Sequence, residues 1–181
     1  MLWRDGVLEG LTSNHFDPQQ YRDYTHQMSQ VIKAPGKYKQ LLGKSPSLFL
    51  AGSIDMGNAV DWQTRISESL KDLDVLILNP RRDDWDSSWV ADISNPQFAE
   101  QVNWELDALG DVDLIVVYFD PKGQAPISLL ELGLHADQNI LVCCPEGYWK
   151  RGNVQVVCQR KGIPLFETLD ELIVETVKQF S

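Results

Sequence analysis

From residue 47 onward the chain alternates two hydrophobic rhythms. Short apolar stretches at 48–51, 74–78 (opened by Asp74), 114–119, 140–144 and 163–166 are bounded by Gly, Pro, Asn and Asp, and they predict buried strands. Between them apolar residues recur every three or four positions. Ala59, Trp62, Ile66, Leu70 and Leu73 predict a helix of roughly four turns, and Phe98, Val102, Leu106 and Leu109 form the inward stripe of another. Asn95-Pro96 supplies the N-cap and first-turn proline of that second helix. Further helices are predicted from Ser128, over 153–160 with Val154, Val157 and Cys158 inward, and after the cap Thr168 with Leu169, Leu172, Ile173, Val177 and Phe180 on one face.

Strand–helix alternation of this kind predicts a single doubly wound α/β domain with a five-stranded parallel sheet, in the flavodoxin-like order 2-1-3-4-5. Ligands then bind in the crevice between the first and third strands, where residues 49–56 meet residues 120–131. Residues 1–45 read as an arm packed on the domain, which occupies 46–181. Within the arm, 19–30 predicts a short helix capped by Asp17, and 31–35 a brief edge strand, because Pro35 excludes a central one. His15 and His26 have no second ligand-type residue at a useful spacing and read as surface residues.

Composition narrows the partners. With 26 acidic against 16 basic residues the net charge is -10, which argues against a nucleic-acid backbone or an anionic membrane surface and for a small molecule. The three cysteines, Cys143, Cys144 and Cys158, form no C-x-x-C, so neither a disulfide frame nor a metal site is expected. The first five residues lack a signal peptide's apolar centre, and no apolar run reaches the about 18 residues that span a bilayer; a soluble, cytoplasmic protein is expected. No cofactor is called for. The P-loop pattern G-x-x-x-x-G-K-S/T, a G-x-G-x-x-G after the first strand and a G-x-S-x-G elbow are all missing, which sets aside P-loop, dinucleotide and serine-hydrolase chemistry.

Two places carry candidate chemistry. Residues 79–89 combine Arg81 and Arg82, the acids Asp83, Asp84 and Asp86, and Trp85 and Trp89. Rings there can stack on a flat base while Arg82 or Asp83 reads its edge; the alternative is a solvated loop whose tryptophans pack on the domain. The second place is Glu131, set among Leu129, Leu130, Leu132 and Leu134 just beyond the third strand. Ser128-Leu129-Leu130-Glu131 fits a capping box. Glu131 equally fits a carboxylate in the first turn of a helix at the ligand edge of the sheet, where the helix dipole would keep it ionised and nucleophilic. Glu105 shares the inward stripe of its helix, and a buried acid needs a partner or a task.

The E-L-G at 131–133, the aromatic-x-A-G at 49–52 and the helix 104–113, whose Glu105 lies eight residues before Asp113, resemble the nucleoside 2-deoxyribosyltransferases and the related deoxynucleoside 5'-monophosphate N-glycosidases. The likeness runs from about Pro46 to Ile163. It implies that Glu131 attacks the anomeric carbon of a 2'-deoxynucleoside, that Glu105 positions nucleophile or sugar, and that Phe49 forms a wall of the sugar pocket; Gly52, Ser53, Asp55 and Asp120, with Arg82, Asp83 and Trp85 of the loop at 79–89, complete the expected substrate-binding set. The partners it implies are a nucleoside and a free nucleobase. It also implies a homo-oligomer with shared sites, to which Asn153 would contribute. Where the family carries a proton-donating aspartate, six residues before the nucleophile, this chain has Ala125, so either Asp120, Asp83 or another acid takes that role or base exchange is slow. Gly52-Ser53-Ile54 resembles the phosphate-side G-S-I of the monophosphate hydrolases, although Asp55 follows where a phosphate would want arginine or a glycine amide. A non-catalytic flavodoxin-like nucleotide-binding or signalling module is the reading from another class.

Overall fold

The computed structural model describes residues 28–54, 61–86 and 88–181. Six strands, β1 (Gln30–Lys33), β2 (Ser47–Gly52), β3 (Leu76–Asn79), β4 (Leu114–Tyr118), β5 (Ile140–Cys143) and β6 (Leu165–Phe166), form one parallel sheet in the order β1-β3-β2-β4-β5-β6. The expectation of five strands ordered 2-1-3-4-5 is therefore corrected to six. The added strand is β1, whose residues align with β3 from Gln30↔Leu76 to Lys33↔Asn79. It lies at the edge, as Pro35 requires, and Gln30 belongs to it rather than to the end of a helix. Most of the helix expected over 19–30, with His15 and His26, lies outside the described residues, as does Ala59.

Five α-helices cover the sheet. α1 (Trp62–Ser69) and α5 (Leu169–Phe180) pack on the face that presents Leu48, Leu50, Leu114 and Val116. α2 (Pro96–Asp111), α3 (Pro126–His135) and α4 (Arg151–Lys161) cover the face of Phe49, Ala51, Ile115 and Val117. This division follows from the two-residue period of β2 and β4, which sends alternate side chains into opposite layers. α1 is two turns long rather than four, started by Asp61, whose carboxylate accepts from Thr64 N at 3.2 Å. α5 has the full capping box of Thr168 and Glu171. No helix among the described residues is long and apolar enough to cross a membrane.

At the carboxyl edge, β2 and β4 are joined closely. Gly52 pairs with Tyr118 at φ 140°, and a β-carbon on it would lie 2.2 Å from the Tyr118 carbonyl oxygen. Only glycine fits there. One residue on, Ser53 N donates to Tyr118 O and Ser53 Oγ accepts from Asp120 N, both at 2.9 Å. Trp62 Nε1 donates to Ser53 O at 2.9 Å, so the first turn of α1 hangs from the same joint.

Candidate functional site

α3 starts earlier than the sequence suggested. Pro126 takes its first position, where a missing N–H costs nothing and φ is already helical, and Ala125 precedes it in the left-handed region at φ 41°. Two donors hold this turn: Tyr148 Oη and Trp149 Nε1 both bond to the Gln124 carbonyl, at 2.7 and 2.9 Å. Ser128 is thus the third helical residue, no side chain caps α3, and the capping-box reading of Glu131 is overturned. Nor is Glu131 in the first turn, since it stands sixth. Ser128, Glu131 and Leu132 face inward, whereas Ile127, Leu130 and Leu134 are exposed. The leucine frame is split by the helix: only Leu132 and half-buried Leu129 share the acid's side.

The inward face of α2 is also displaced from the expected stripe. Gln101, Trp104, Ala108 and Leu109 are buried and Glu105 is half-buried, while Leu106 is turned outward. The rotation follows Trp104, whose ring packs edge-on to Tyr38 at 5.5 Å and lies 6.2 Å from Phe49, with Nε1 donating to Gly36 O. Burial of an indole outweighs the gain from Leu106. The same rotation turns Glu105 toward α3.

Glu131 is 8 % exposed, and among the described residues nothing hydrogen-bonds its carboxyl. Burial first, and then the charge of Glu105, push it up to about 8. This reverses the expectation that the helix dipole keeps it ionised: six residues in, the dipole is spent and desolvation dominates. Burial raises Glu105 as well, opposed by a hydrogen bond from Gln101 Nε2 to Glu105 Oε1 at 2.7 Å. The two carboxyl groups are thus both raised by burial, and the charge of Glu105 acts on Glu131 as well.

The other expected site residues divide by exposure. Phe49, Ser53 and Asp120 are buried: Phe49 lies wholly beneath Trp104, Ser53 is the joint between strands, and Asp120 accepts from Lys122 N at 2.8 Å. Gly52 brings the β2 and β4 backbones together. Asp55 lies outside the described residues. On the β3 exit, Arg82 is consumed internally. It forms two bonds to Asp84, at 2.6 and 3.3 Å, reaches Glu100 at 3.3 Å, and stacks over Trp89 at 5.0 Å. Asp83 pairs with Lys33 on β1. Trp85 remains 44 % exposed, edge-on to Trp89 at 5.1 Å. Asn153 is exposed in the first turn of α4, which follows β5 rather than β4. The structure thus brings Glu105 within electrostatic range of Glu131, buries Phe49, Ser53 and Asp120, and leaves Asp83, Trp85 and Asn153 at the surface.

Sequence reasoning missed Gln101, whose Nε2 also donates to Pro80 O at 2.9 Å. The available signal was a polar residue one turn before Glu105. Arg81, named with the loop at 79–89, has its Nη1 buried 3.4 Å from Asp61. The cysteines are buried free thiols pushed far above their ordinary range by burial.

Parallel α/β sheets bind their ligands at the carboxyl ends of the strands, and carboxyl groups raised by burial concentrate at such sites. The family model described as nucleoside 2-deoxyribosyltransferase like matches residues 45–148, more than half of the 181 residues. The chain belongs to that family, which acts on small-molecule nucleosides, and the matched span contains β2 to β4, both acids and Gln101. No curated protein matches the chain.

Proposed function

We propose that the protein cleaves the N-glycosidic bond of a 2'-deoxynucleoside through a covalent bond between Glu131 and C1' of the sugar. The observation that carries this reading is a buried carboxyl, hydrogen-bonded by nothing among the described residues, with an acidic neighbour inside the family-matched span. A carboxyl that neither caps its helix nor pairs with a cation is costly to keep in the interior, and such groups concentrate at reactive sites.

In the step proposed, ionised Glu131 bonds through one carboxylate oxygen to C1'. The C1'–N electron pair passes to the base, which takes a proton from solvent water, position 125 being alanine. A nitrogen lone pair of a second base, or a water oxygen, then bonds to C1', the ester bond breaks back to the carboxylate, and the attacking atom loses its proton. Glu105 holds negative charge beside the oxocarbenium-like sugar in both halves. Trp85 stacks on the base from the β3 exit.

The experiment is acid quenching of the protein with a 2'-deoxynucleoside, followed by mass spectrometry of its peptides. A deoxyribosyl group on the peptide containing Glu131, missing in Glu131→Gln, is the expected result; free base released without that adduct would remove the covalent step. Hydrolysis of a 5'-monophosphate is the second reading. What favours it is that α3 begins with no side-chain cap, so that its first amides remain available to an anion. Comparing deoxyinosine with its 5'-monophosphate, with and without adenine, separates exchange from hydrolysis and nucleoside from nucleotide.

A flavodoxin-like module without chemistry is separated by Glu131→Gln, which would then keep ligand binding and lose nothing else. For assembly we propose a homo-oligomer. Ile127, Leu130 and Leu134 are each about 60 % exposed on α3 beside Trp149, and they form an apolar stripe next to the site.

A further inference from the structure

Gln101 is 4 % exposed, and both of its amide hydrogens are used: one on Pro80 O at 2.9 Å, the other on Glu105 Oε1 at 2.7 Å. Two acceptors on one side fix the amide's orientation, so its nitrogen faces them. The carbonyl oxygen, Oε1, is left buried with no hydrogen bond. An unpaired buried acceptor loses its hydration without recompense. A methionine or leucine would fill the same volume on this inward helix face without that loss. A side chain that is poor for the core and that ties an acid of the site to the loop beside it has the profile of a functional residue.

We infer that Gln101 is a positioning residue: it holds Glu105 in the pocket from the head of the β3 exit loop, so that the loop carrying Trp85 and the acid facing Glu131 move as one unit. Pro80 is the last residue before Arg81, and Arg82 pins the same loop back onto α2 through Glu100. The loop is thus attached to α2 at two points one helical turn apart or closer, Glu100 outside and Gln101 inside. Of these only the inner one reaches the carboxyl pair. This inference rests on the site reading above and supplies a part of it that neither the family match nor the two acids require.

The groups that face Glu105 define what a titration reads. Glu131 meets it from α3, and Gln101 bonds to it from its own helix. Asp107 and Asp111, further along α2, are held outside by Lys39 and Tyr38. Arg82 is engaged with Asp84 and Glu100, and Asp120 after β4 is bonded by the Lys122 amide.

The test uses Gln101→Met in the full chain, with Gln101→Asn as a shorter variant that keeps the amide. Carbon-13 resonances of the glutamate carboxyls are followed against pH in the unliganded protein. Expected is an upward move of the Glu105 titration in Gln101→Met, with the melting temperature unchanged or raised, because the unpaired acceptor is gone. With a 2'-deoxynucleoside, kcat falls about tenfold or more while KM changes little, as for a misplaced catalytic group. Gln101→Asn, too short to reach both acceptors, falls between. An unmoved Glu105 titration, or a melting temperature that drops in step with activity, overturns the inference and makes Gln101 a core residue. Absence of turnover in the wild-type protein would defeat the glycosidic reading alone, since the titration needs no substrate.

Discussion

The charge of Glu105 on α2 adds to burial in holding a proton on Glu131 of α3. Their relation is asymmetric because Gln101 bonds Glu105 alone. Burial pushes Glu131 up to about 8, whereas the Gln101 bond opposes the rise at Glu105.

That asymmetry predicts the rate profile. A nucleophilic Glu131 must shed its proton, so kcat/KM rises with pH and levels off above about 8. Replacing Glu105 by Gln removes the neighbouring charge, and the rise moves to lower pH. A profile that is flat from pH 6 to 9 in the wild type would show that Glu131 does not act as an ionised group.

Stability follows the opposite slope. The Glu131 carboxyl is raised in the folded state above the ordinary 4.5, so the native protein binds more protons than the unfolded chain between that value and about 8. The stabilisation is complete below 4.5 and is lost as pH rises through 8. Glu131→Gln, which cannot ionise, should melt higher than the wild type at pH 9, with the gap closing at pH 5. The same variant should reduce turnover by at least about a thousandfold if the group is a covalent nucleophile. Calorimetry at the two pH values checks the first statement and single-turnover assays the second.

Gly52→Ala places a methyl group against the Tyr118 carbonyl at a φ that side chains avoid. A loss of clearly more than about 1 kcal/mol is expected, because backbone incompatibility adds to the clash. Urea unfolding measures it. The variant should also lose activity, since separating β2 from β4 opens the crevice.

Trp85 and Arg82 act differently in one loop. Trp85→Ala should raise KM roughly 5- to 150-fold, equivalent to about 1–3 kcal/mol of stacking, at unchanged melting temperature. Arg82→Ala, which frees Asp84, Glu100 and Trp89 together, should weaken all bases alike and increase proteolysis within the loop. Equal KM values for wild type and Trp85→Ala on every base would return Trp85 to the solvated surface.

Sedimentation addresses assembly. Leu130→Asp with Leu134→Asp puts two charges on the exposed stripe of α3 and should convert an oligomer to monomers without unfolding, as both side chains are about 60 % exposed. A wild-type protein that is already a fully active monomer at micromolar concentration would exclude a shared pocket.

Much of this architecture was written in the chain. Continuous apolar runs alternating with helical periodicity can be satisfied only by a parallel sheet covered on both faces, and Asn95-Pro96, Thr168 and Pro35 act within a few residues of themselves; hence the helix starts and the edge strand were legible. Glu131 and Glu105 stood out because charge in an apolar frame is costly wherever it is buried. What local pattern could not hold was direction. The start of α3 at Pro126 depends on Tyr148 and Trp149 clamping the Gln124 carbonyl from another loop, and it moves Glu131 out of any capping position. The rotation of α2 depends on Trp104 finding Tyr38, Phe49 and Gly36, none of them near it in sequence. Only with both helices so turned does the charge of one acid bear on another 26 residues away in the chain, because burial and mutual charge are properties of the packed pair and not of either residue.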